Sequence, residues 1–341
     1  MGDFLETLTL SQLREIAKEE NFRGYYSMQK LDLVDFLVNN LPHNKLLNYS
    51  NYKLKYQSGK PDDKGFYMIK PTVIVDETKF RSFSSMELTS ILYLMYKYPQ
   101  HCIAFSTGLL TPSGKLTSRA LNLRREDFYK VSLAWSEFKN DFIIPEGLWK
   151  SIKNCLKRGS RFIIIPFGFY CSDGDDHANF LIYNSSTKEL ERFEPYGYLN
   201  SYCKNPPMLD EKLAKLFNKN VNKDMIKAVY DPLSFCPMDS FQMIQEKDKE
   251  FKEQGVNGPF GYCSAWSFWY ADMRLVNPLK SRSEVVSLSM KAIHDSSLTF
   301  TTFIRSYADF LQKVYKKIIH HKDEYPEKII KKILKKNEQS K

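Results

Sequence analysis

Residues 161–194 read RFIIIPFGFYCSDGDDHANFLIYNSSTKELERFE, a block in which strand patterns alternate with turns. Residues 161–170 are mostly β-branched or aromatic, which predicts a buried strand. After the acidic loop 172–176, residues 179–183 and 189–193 predict two more strands, joined by a tight polar turn at 184–187. The block therefore predicts a buried strand followed by a β-hairpin.

Helical patterns lie on both sides of this block. Residues 85–98 (SMELTSILYLMYKY, stopped by Pro99) and 145–156 predict two helices before it. Residues 209–217 and 263–275 (CSAWSFWYADMRL) predict two helices after it, with a short strand at 226–230 between them. The last helix is rich in aromatic residues, so we expect it to face a core.

The composition suggests four segments along the chain. Residues 1–42 predict a small helical unit broken at Gly24, and the polar residues 43–65 predict a linker. Residues 66–310 have a globular composition. The tail 311–341 carries ten lysines against four acidic residues, so about six of the ten excess positive charges of the chain lie there. A basic balance favours polyanions such as nucleic acid, although a solvated basic helix explains the tail equally well.

Composition also excludes several classes of protein. The 341 residues are 43% hydrophobic, which argues against wholesale disorder, and no apolar run approaches the ~18 residues of a membrane span. The N-terminus has no signal-peptide pattern, so we expect a protein that is not secreted. The six cysteines contain no CxxC pair, which predicts reduced thiols in an intracellular, reducing compartment. No Cys/His cluster suits zinc, and we expect no cofactor.

Three residues that could form the catalytic set of a thiol enzyme stand at the ends of predicted strands and helices. His177 opens a predicted strand, Glu194 ends the next one 17 residues later, and Cys263 stands at the predicted start of the aromatic helix. A helix N-terminus and a neighbouring imidazolium both favour a thiolate, and a carboxylate can orient the histidine. Asn257 could donate to an oxyanion beside the backbone N–H of Cys263. Taken singly, each residue is more typical of an inert buried thiol, a hydrogen-bonded surface histidine or a solvated acid at the end of a strand.

The segment HANFLIYNSSTKELERFEPYGYL (177–199) resembles the His-to-acid segment of adenain, the adenovirus maturation proteinase, and NGPFGYC (257–263) is similar to its cysteine segment. The wider clan includes the proteases of ubiquitin-like proteins such as SUMO. The resemblance covers about 160–280 and implies an α+β, papain-like core, a central mixed sheet flanked by helices. It implies His177 as general base, Glu194 as orienting acid, Cys263 as nucleophile and Asn257 as oxyanion donor, where the family usually has glutamine. Gln254, Gln242 and Gln245 are alternative donors.

The resemblance also implies a function. Members cleave after small residues, often Gly-Gly or Gly-X, and aromatic walls from Tyr196, Tyr262 and Trp266 could enforce this preference. It implies an endopeptidase acting on viral structural proteins during virion maturation, located in the virion or the host cytoplasm. The alternatives are a deconjugase of ubiquitin-like modifiers, and a nucleic-acid-binding virion protein with an inactive protease-like scaffold.

The N-terminal run LTLSQLREIAKEENFRGYYSMQKLDLVDFL (8–37) resembles SAP and Rho-N-terminal-like helical modules. Those modules commonly bind DNA or RNA. With the basic tail, this resemblance implies DNA as a possible partner beside the protein substrate, and a plain helical hairpin that docks protein remains the alternative.

Overall fold

The computed structural model describes residues 5, 10–42, 62, 65–71, 73–75, 80, 82–171, 176–197, 208–253 and 262–339. The chain divides into two compact units, residues 1–67 and 68–341. The predicted linker 43–65 lies almost wholly outside the described residues.

Helices and strands intermix along the chain. The described helices are α1 (Leu10–Glu19), α2 (Lys30–Asn40), α3 (Ser84–Lys97), α4 (Ser118–Leu121), α5 (Leu148–Lys157), α6 (Leu209–Asn220), α7 (Pro232–Phe235), α8 (Phe241–Lys247), α9 (Lys249–Glu253), α10 (Tyr262–Val276), α11 (Arg282–His294), α12 (Phe300–His320) and α13 (Pro326–Gln339). The described strands are β1 (Cys102–Ile103), β2 (Leu133–Ser136), β3 (Asp141–Ile143), β4 (Phe162–Tyr170), β5 (His177–Asn184), β6 (Glu189–Phe193) and β7 (Ala228–Tyr230).

The smaller unit is built on α1 and α2. Gly24 between them has φ of +79°, a left-handed conformation that glycine adopts without a steric penalty. Leu13 and Ile16 of α1 pack with Leu33 and Leu37 of α2 in a small closed core. The predicted pair of helices is therefore confirmed, and the SAP-like role stays a prediction.

The larger unit is organised around one mixed sheet of order β3-β2-β4-β5-β6-β7, with β1 pairing to β4 beside this path. Strands β4, β5 and β6 are antiparallel neighbours, as the predicted hairpin requires. Strands β1 and β2 run parallel to β4, and β7 runs parallel to β6. The predicted α+β class, a central mixed sheet flanked by helices, is confirmed.

The two faces of the sheet are covered by different helices, because successive strand side chains point to opposite sides. On one face, Ile163, Ile165 and Leu181 pack with residues of α5 and α6. On the other, Phe180 meets Phe268 of α10 with ring centroids 5.0 Å apart. Helix α10 also contacts α12 and is buried at every position, which confirms the expectation of a core helix.

The expectation that all cysteines are reduced is wrong. Cys102 of β1 and Cys155 of α5 form a disulfide across 53 residues of sequence, and Cys171 is disulfide-bonded as well. Folding brings these distant positions together when β1 pairs with β4 and α5 packs on the sheet, a proximity that sequence spacing does not reveal. Within the described part of the chain, Cys236 and Cys263 are free thiols.

Two findings concern membranes and metals. No helix among the described residues is both long and apolar enough to cross a membrane. In the same residues, no three His, Cys, Asp or Glu side chains cluster as metal ligands would. The boundary expected at residue 310 falls inside α12, so the described part of the basic tail continues a helix of the larger unit.

Candidate active site

Cys263 is the second residue of α10, and its free thiol is 8% exposed. The helix is fixed in the core by its tryptophans. Trp266 Nε1 donates to Oε1 of Gln245 at 2.7 Å, and Trp269 Nε1 donates to the carbonyl of Ile69 at 3.1 Å. Because the start of a helix carries a partial positive charge, this position favours negative charge on the sulfur.

His177 is the first residue of β5 and lies opposite Phe169 of β4 in the sheet register. The imidazole is 3% exposed and stacks on the Phe169 ring with centroids 6.2 Å apart. The strand and the aromatic ring thus hold the imidazole in one orientation.

Glu194 directly follows β6. The β5–β6 register pairs Phe180 with Phe193, so one further step places Glu194 opposite Asn179. Oε1 of Glu194 lies 2.7 Å from Nε2 of His177, and Nδ2 of Asn179 donates to Oε2 at 3.0 Å. Both carboxylate oxygens are therefore engaged in a buried site.

The turn after Glu194 adds a backbone donor. The N–H of Tyr196 donates to Oε1 of Glu194 at 3.0 Å. Gly197 has φ of +107°, and a Cβ there would lie 2.4 Å from the carbonyl oxygens of Pro237 and Met238. Only glycine fits such a close approach, so this turn is locked against the segment before α8.

His177 also hydrogen-bonds Cys263. Since Nε2 faces Glu194, Nδ1 is the ring nitrogen left for the sulfur. Burial alone lowers the pKa of the imidazole, but the charge of Glu194, hydrogen bonds to Cys263 and Glu194, and the charge of the sulfur raise the pKa of His177 to about 10. Burial acts to raise the pKa of Glu194, yet the charge and hydrogen bond of His177, with the Tyr196 and Asn179 donors, hold it below its usual range.

The arrangement brings together a free thiol, an imidazolium and a carboxylate in one buried chain of contacts. An imidazolium beside a sulfur favours the thiolate, which is the nucleophilic form. The same imidazolium can give its proton to a leaving group and take one from water. The described geometry suits nucleophilic acyl transfer.

Two of the four expected oxyanion donors lie among the described residues, and two do not. Asn257 and Gln254 lie outside the described residues. The amide of Gln242 donates to Tyr196 Oη at 2.9 Å and also hydrogen-bonds Glu246. Gln245 is fully buried with its Oε1 held by Trp266. The described hydrogen bonds of both glutamines thus belong to the core and the Tyr196 region, and the oxyanion role of Asn257 stays a prediction.

The aromatic residues expected to form walls lie in different places. Tyr196 lies beside His177, with ring centroids 5.5 Å apart. Tyr262 stacks with Phe80 at 6.1 Å, directly before Cys263. Trp266 is completely buried and packs on Phe303, so it belongs to the core instead of the site.

Sequence reasoning missed Asn179 and Glu246. Asn179 stands two residues after His177, and residues two apart share a face of a strand, so this spacing could have found it. Glu246 lies 52 residues after Glu194 on α8, and no local pattern connects the two.

No family model matches the chain. One similar protein is "Putative ankyrin repeat protein L371" from Acanthamoeba polyphaga mimivirus, 26% identical over 280 residues, a match that covers 76% of this chain. The chain spans about a third (34%) of the length of that relative.

Two solved structures are similar at low scores. One is ChlaDub1 from Chlamydia trachomatis, with 12% identity and a TM-score of 0.34 over 72% of this chain and 96% of that one. The other is the Chlamydia trachomatis effector protein ChlaDUB1, with 10% identity and a TM-score of 0.36 over 82% of this chain and 94% of that one.

Proposed function

We propose that this chain is a cysteine peptidase in which Cys263 is the nucleophile, His177 the general acid and base, and Glu194 the orienting acid. The observation that carries this proposal is the contact of the free thiol, at the start of a buried helix, with an imidazole whose other nitrogen lies 2.7 Å from a buried carboxylate. A structural role for Cys263 would not need a charged histidine beside it.

The reaction follows from these positions. The Cys263 thiolate attacks the scissile carbonyl carbon, and the carbonyl oxygen becomes an oxyanion held by the backbone N–H of Cys263 and by a side-chain donor, for which Asn257 is our candidate. Imidazolium His177 protonates the leaving amine as the C–N bond breaks. Neutral His177 then removes a proton from water, whose oxygen attacks the thioester and releases the acid and the thiolate.

The first test needs no known substrate. Iodoacetamide should alkylate Cys263 of the wild type much faster than Cys236, with both sites mapped by mass spectrometry. His177→Ala should slow labelling of Cys263 at pH 7 by at least ~10-fold, because the thiolate loses its counter-ion. Cys236 is the internal control, since burial raises its pKa to about 12. Equal, slow labelling of both thiols, unaffected by His177→Ala, would contradict the proposal.

We expect the substrates to be peptides with a small residue on the acyl side of the scissile bond. The resemblance to the adenain and SUMO-protease clan supports Gly-Gly or Gly-X sites, and the low exposure of Cys263 with the Tyr196 ring nearby supports a narrow approach to the sulfur. Peptides ending in Gly-Gly-aminocoumarin should be hydrolysed faster than Gly-Val or Val-Gly analogues, with Cys263→Ala as the inactive control. Equal rates of hydrolysis for all three peptides would contradict the proposed preference for glycine.

Two kinds of natural substrate follow from the resemblance. Maturation of viral structural proteins is what the resemblance to adenain implies, and the similarity to a mimivirus protein supports only a viral setting. Deconjugation of ubiquitin-like modifiers is the alternative. A folded modifier fused through its C-terminal Gly-Gly should have a much lower KM than the free peptide if the chain is a deconjugase. Equal KM values for the two favour an endopeptidase that reads only the peptide.

A specific surface also supports the nucleic-acid partner. Between residues 313 and 335, the described chain carries eight exposed lysines, listed here: Lys313, Lys316, Lys317, Lys322, Lys328, Lys331, Lys332 and Lys335. Three of them pair with acidic residues of the same region. Lys328 lies over the Tyr325 ring, with its Nζ 5.3 Å from the ring centroid. Among the described side chains, the other four, Lys316, Lys317, Lys322 and Lys335, have no acidic partner. We call these four the lysine face.

The lysine face suits a polyelectrolyte better than a membrane surface. Helix α13 has an apolar side, but Ile330 and Ile333 on it are buried, and α13 contacts α3 and α12. An interfacial helix needs its apolar side free for lipid. We therefore propose DNA, read through its phosphates, as the partner of this face.

Binding of a fluorescent DNA duplex at several salt concentrations tests this partner. Replacing the four lysines by Gln should weaken binding and reduce the slope of log K against log salt by about 3 to 4. The matched control replaces Lys150, Lys153, Lys157 and Arg158 of the α5 region by Gln, an equal loss of charge elsewhere. Equal slopes for both variants would show that the lysine face is not the DNA-binding site.

A further inference from the structure

Tyr196 contacts both members of the buried His177–Glu194 pair. Its backbone N–H donates to Oε1 of Glu194 at 3.0 Å, the same oxygen that lies 2.7 Å from Nε2 of His177. Its ring lies beside the imidazole, with centroids 5.5 Å apart and planes at 45°. A displacement of Tyr196 would therefore change the surroundings of both partners at once.

The phenol of Tyr196 is anchored at its far end. Its hydroxyl donates to Oε1 of Glu246 at 2.5 Å and accepts from Nε2 of Gln242 at 2.9 Å. Gln242 also hydrogen-bonds Glu246, so the three side chains form a closed set. We call Tyr196, Gln242 and Glu246 the tyrosine anchor.

The backbone of α8 reinforces the tyrosine anchor. The N–H of Gln242 donates to the carbonyl of Pro195 at 3.0 Å, and the N–H of Ser240 donates to the carbonyl of Tyr196 at 3.1 Å. The start of α8 and the turn after Glu194 are thus joined by main-chain and side-chain bonds. Tyr196 is only 5% exposed, so water cannot replace these bonds without opening the turn.

Glu246 is an unusual member of this set. It is a partly buried carboxylate, and among the described residues no lysine or arginine forms an ion pair with it. Burial raises its pKa, while the hydrogen bonds of Tyr196 and Gln242 and the positive charge of His177 act in the opposite direction. Its negative charge is therefore felt at the imidazole, to which it is joined through Tyr196.

We propose that Tyr196 is a positioning residue for the Glu194–His177 pair, and that Glu246, acting through the Tyr196 hydroxyl, is a second carboxylate that stabilises the imidazolium. This inference rests on the proposed peptidase function. It assigns to the tyrosine anchor the task of keeping Glu194 and His177 aligned while the proton moves between His177 and the reacting atoms.

The test uses the pH profile of Cys263 alkylation by iodoacetamide in the full chain. A thiolate–imidazolium pair gives a plateau of reactivity that ends, on the alkaline side, where the imidazolium loses its proton. Tyr196→Phe keeps the ring and removes the anchored hydroxyl, and Glu246→Gln keeps an acceptor and removes the charge. Both should move the alkaline limb to lower pH by about 0.5 to 1 unit.

Tyr230→Phe is the matched control. Tyr230 also hydrogen-bonds a glutamate, Glu189, at 3.3 Å, but it lies on β7 away from the thiol. This variant should leave the alkylation profile unchanged, and equal thermal unfolding of the three variants would show that each one folds.

The outcomes separate the inference from the function it rests on. Profiles of Tyr196→Phe and Glu246→Gln that coincide with the wild type, while Glu194→Gln shifts the profile, would overturn the inference and leave the peptidase proposal intact. If His177→Ala and Glu194→Gln also leave the profile unchanged, the proposed function itself fails. A shift of the profile in Tyr196→Phe and Glu246→Gln that is absent from Tyr230→Phe supports the positioning role.

Discussion

Asn179 donates its side-chain amide to Oε2 of Glu194 at 3.0 Å, while Oε1 of the same carboxylate faces His177. This division of the two oxygens fixes the plane of the carboxylate. A buried carboxylate with one unsatisfied oxygen is less stable as an anion.

Asn179→Leu should therefore lower the alkylation rate of Cys263 several-fold at pH 6 and destabilise the fold by about 1–3 kcal/mol. Asn218→Leu is the control, because Asn218 makes two bonds to the backbone of Ile226 away from the site. Urea unfolding should show a loss of stability in both variants, and only Asn179→Leu should slow alkylation. Similar alkylation rates in the two variants would count against a role for Asn179 in the site.

Gly197 gives a second prediction, because its φ of +107° and the 2.4 Å approach to two carbonyl oxygens leave no room for a Cβ. Gly197→Ala should displace the turn after Glu194 and reduce both stability and Cys263 labelling. Gly159→Ala is the matched control: Gly159 also has positive φ (+68°), but nothing lies within 4 Å of its added Cβ. The control should cost only about 1–2 kcal/mol of backbone strain and keep the wild-type labelling rate, as measured by urea unfolding and mass spectrometry.

Glu87 in the first turn of α3 predicts a dependence of stability on pH. Burial and the charge of Asp176 raise its pKa from 4.5 to about 7, against a hydrogen bond with Ser132. Because the folded pKa lies above the ordinary value, folding favours the protonated acid. Its contribution to stability is complete below pH 4.5 and is lost as the pH rises through about 7.

Glu87→Gln should therefore be more stable than the wild type at pH 8, by up to about 3 kcal/mol. The difference should vanish near pH 4.5, and urea unfolding at the two pH values measures it. Glu211→Gln, at an exposed position of α6, is the control and should show no such difference. A Glu87→Gln variant that gains nothing at pH 8 would contradict the buried, protonated acid.

The Cys102–Cys155 disulfide closes a loop of 53 residues. A cross-link across a loop of this length stabilises by about 4 kcal/mol in the chain-entropy model. The double variant Cys102→Ala/Cys155→Ala should lose a comparable amount in urea unfolding without reductant and should keep its Cys263 labelling. Peptide mapping without reduction should recover the two peptides of the wild type joined, and recovery of both as free thiols would refute the cross-link.

The sequence was a good guide to the sheet because its signal is local. Residues 189–193 form β6 at the predicted bounds, and residues 162–170 form β4 within one residue of them. The hairpin register then brings Glu194 next to His177, as the spacing of 17 residues suggested. Helix α10 was also predictable, since a helix with so many aromatic side chains has to pack them in a core.

What the sequence did not reveal depends on packing between distant segments. The partnership of Cys102 with Cys155 requires β1 and α5 to meet, and the contact of Tyr196 with Glu246 requires α8 to dock on the turn after β6. Trp266 looked equally suited to a site wall and to the core, and only its contact with Phe303 decides for the core. Periodicity reports which face of an element is buried, and it does not report what lies against that face.

Helix α10 is buried at every position, with the sheet on one side and α12 on another. The sulfur of Cys263 is therefore carried by a helix that cannot shift without disrupting packing on both sides together. Any adjustment that admits a peptide must come from the segments surrounding this helix. Free and inhibited forms of the protein are best superposed on α10, because the displacements that matter will then appear as motion around a stationary nucleophile.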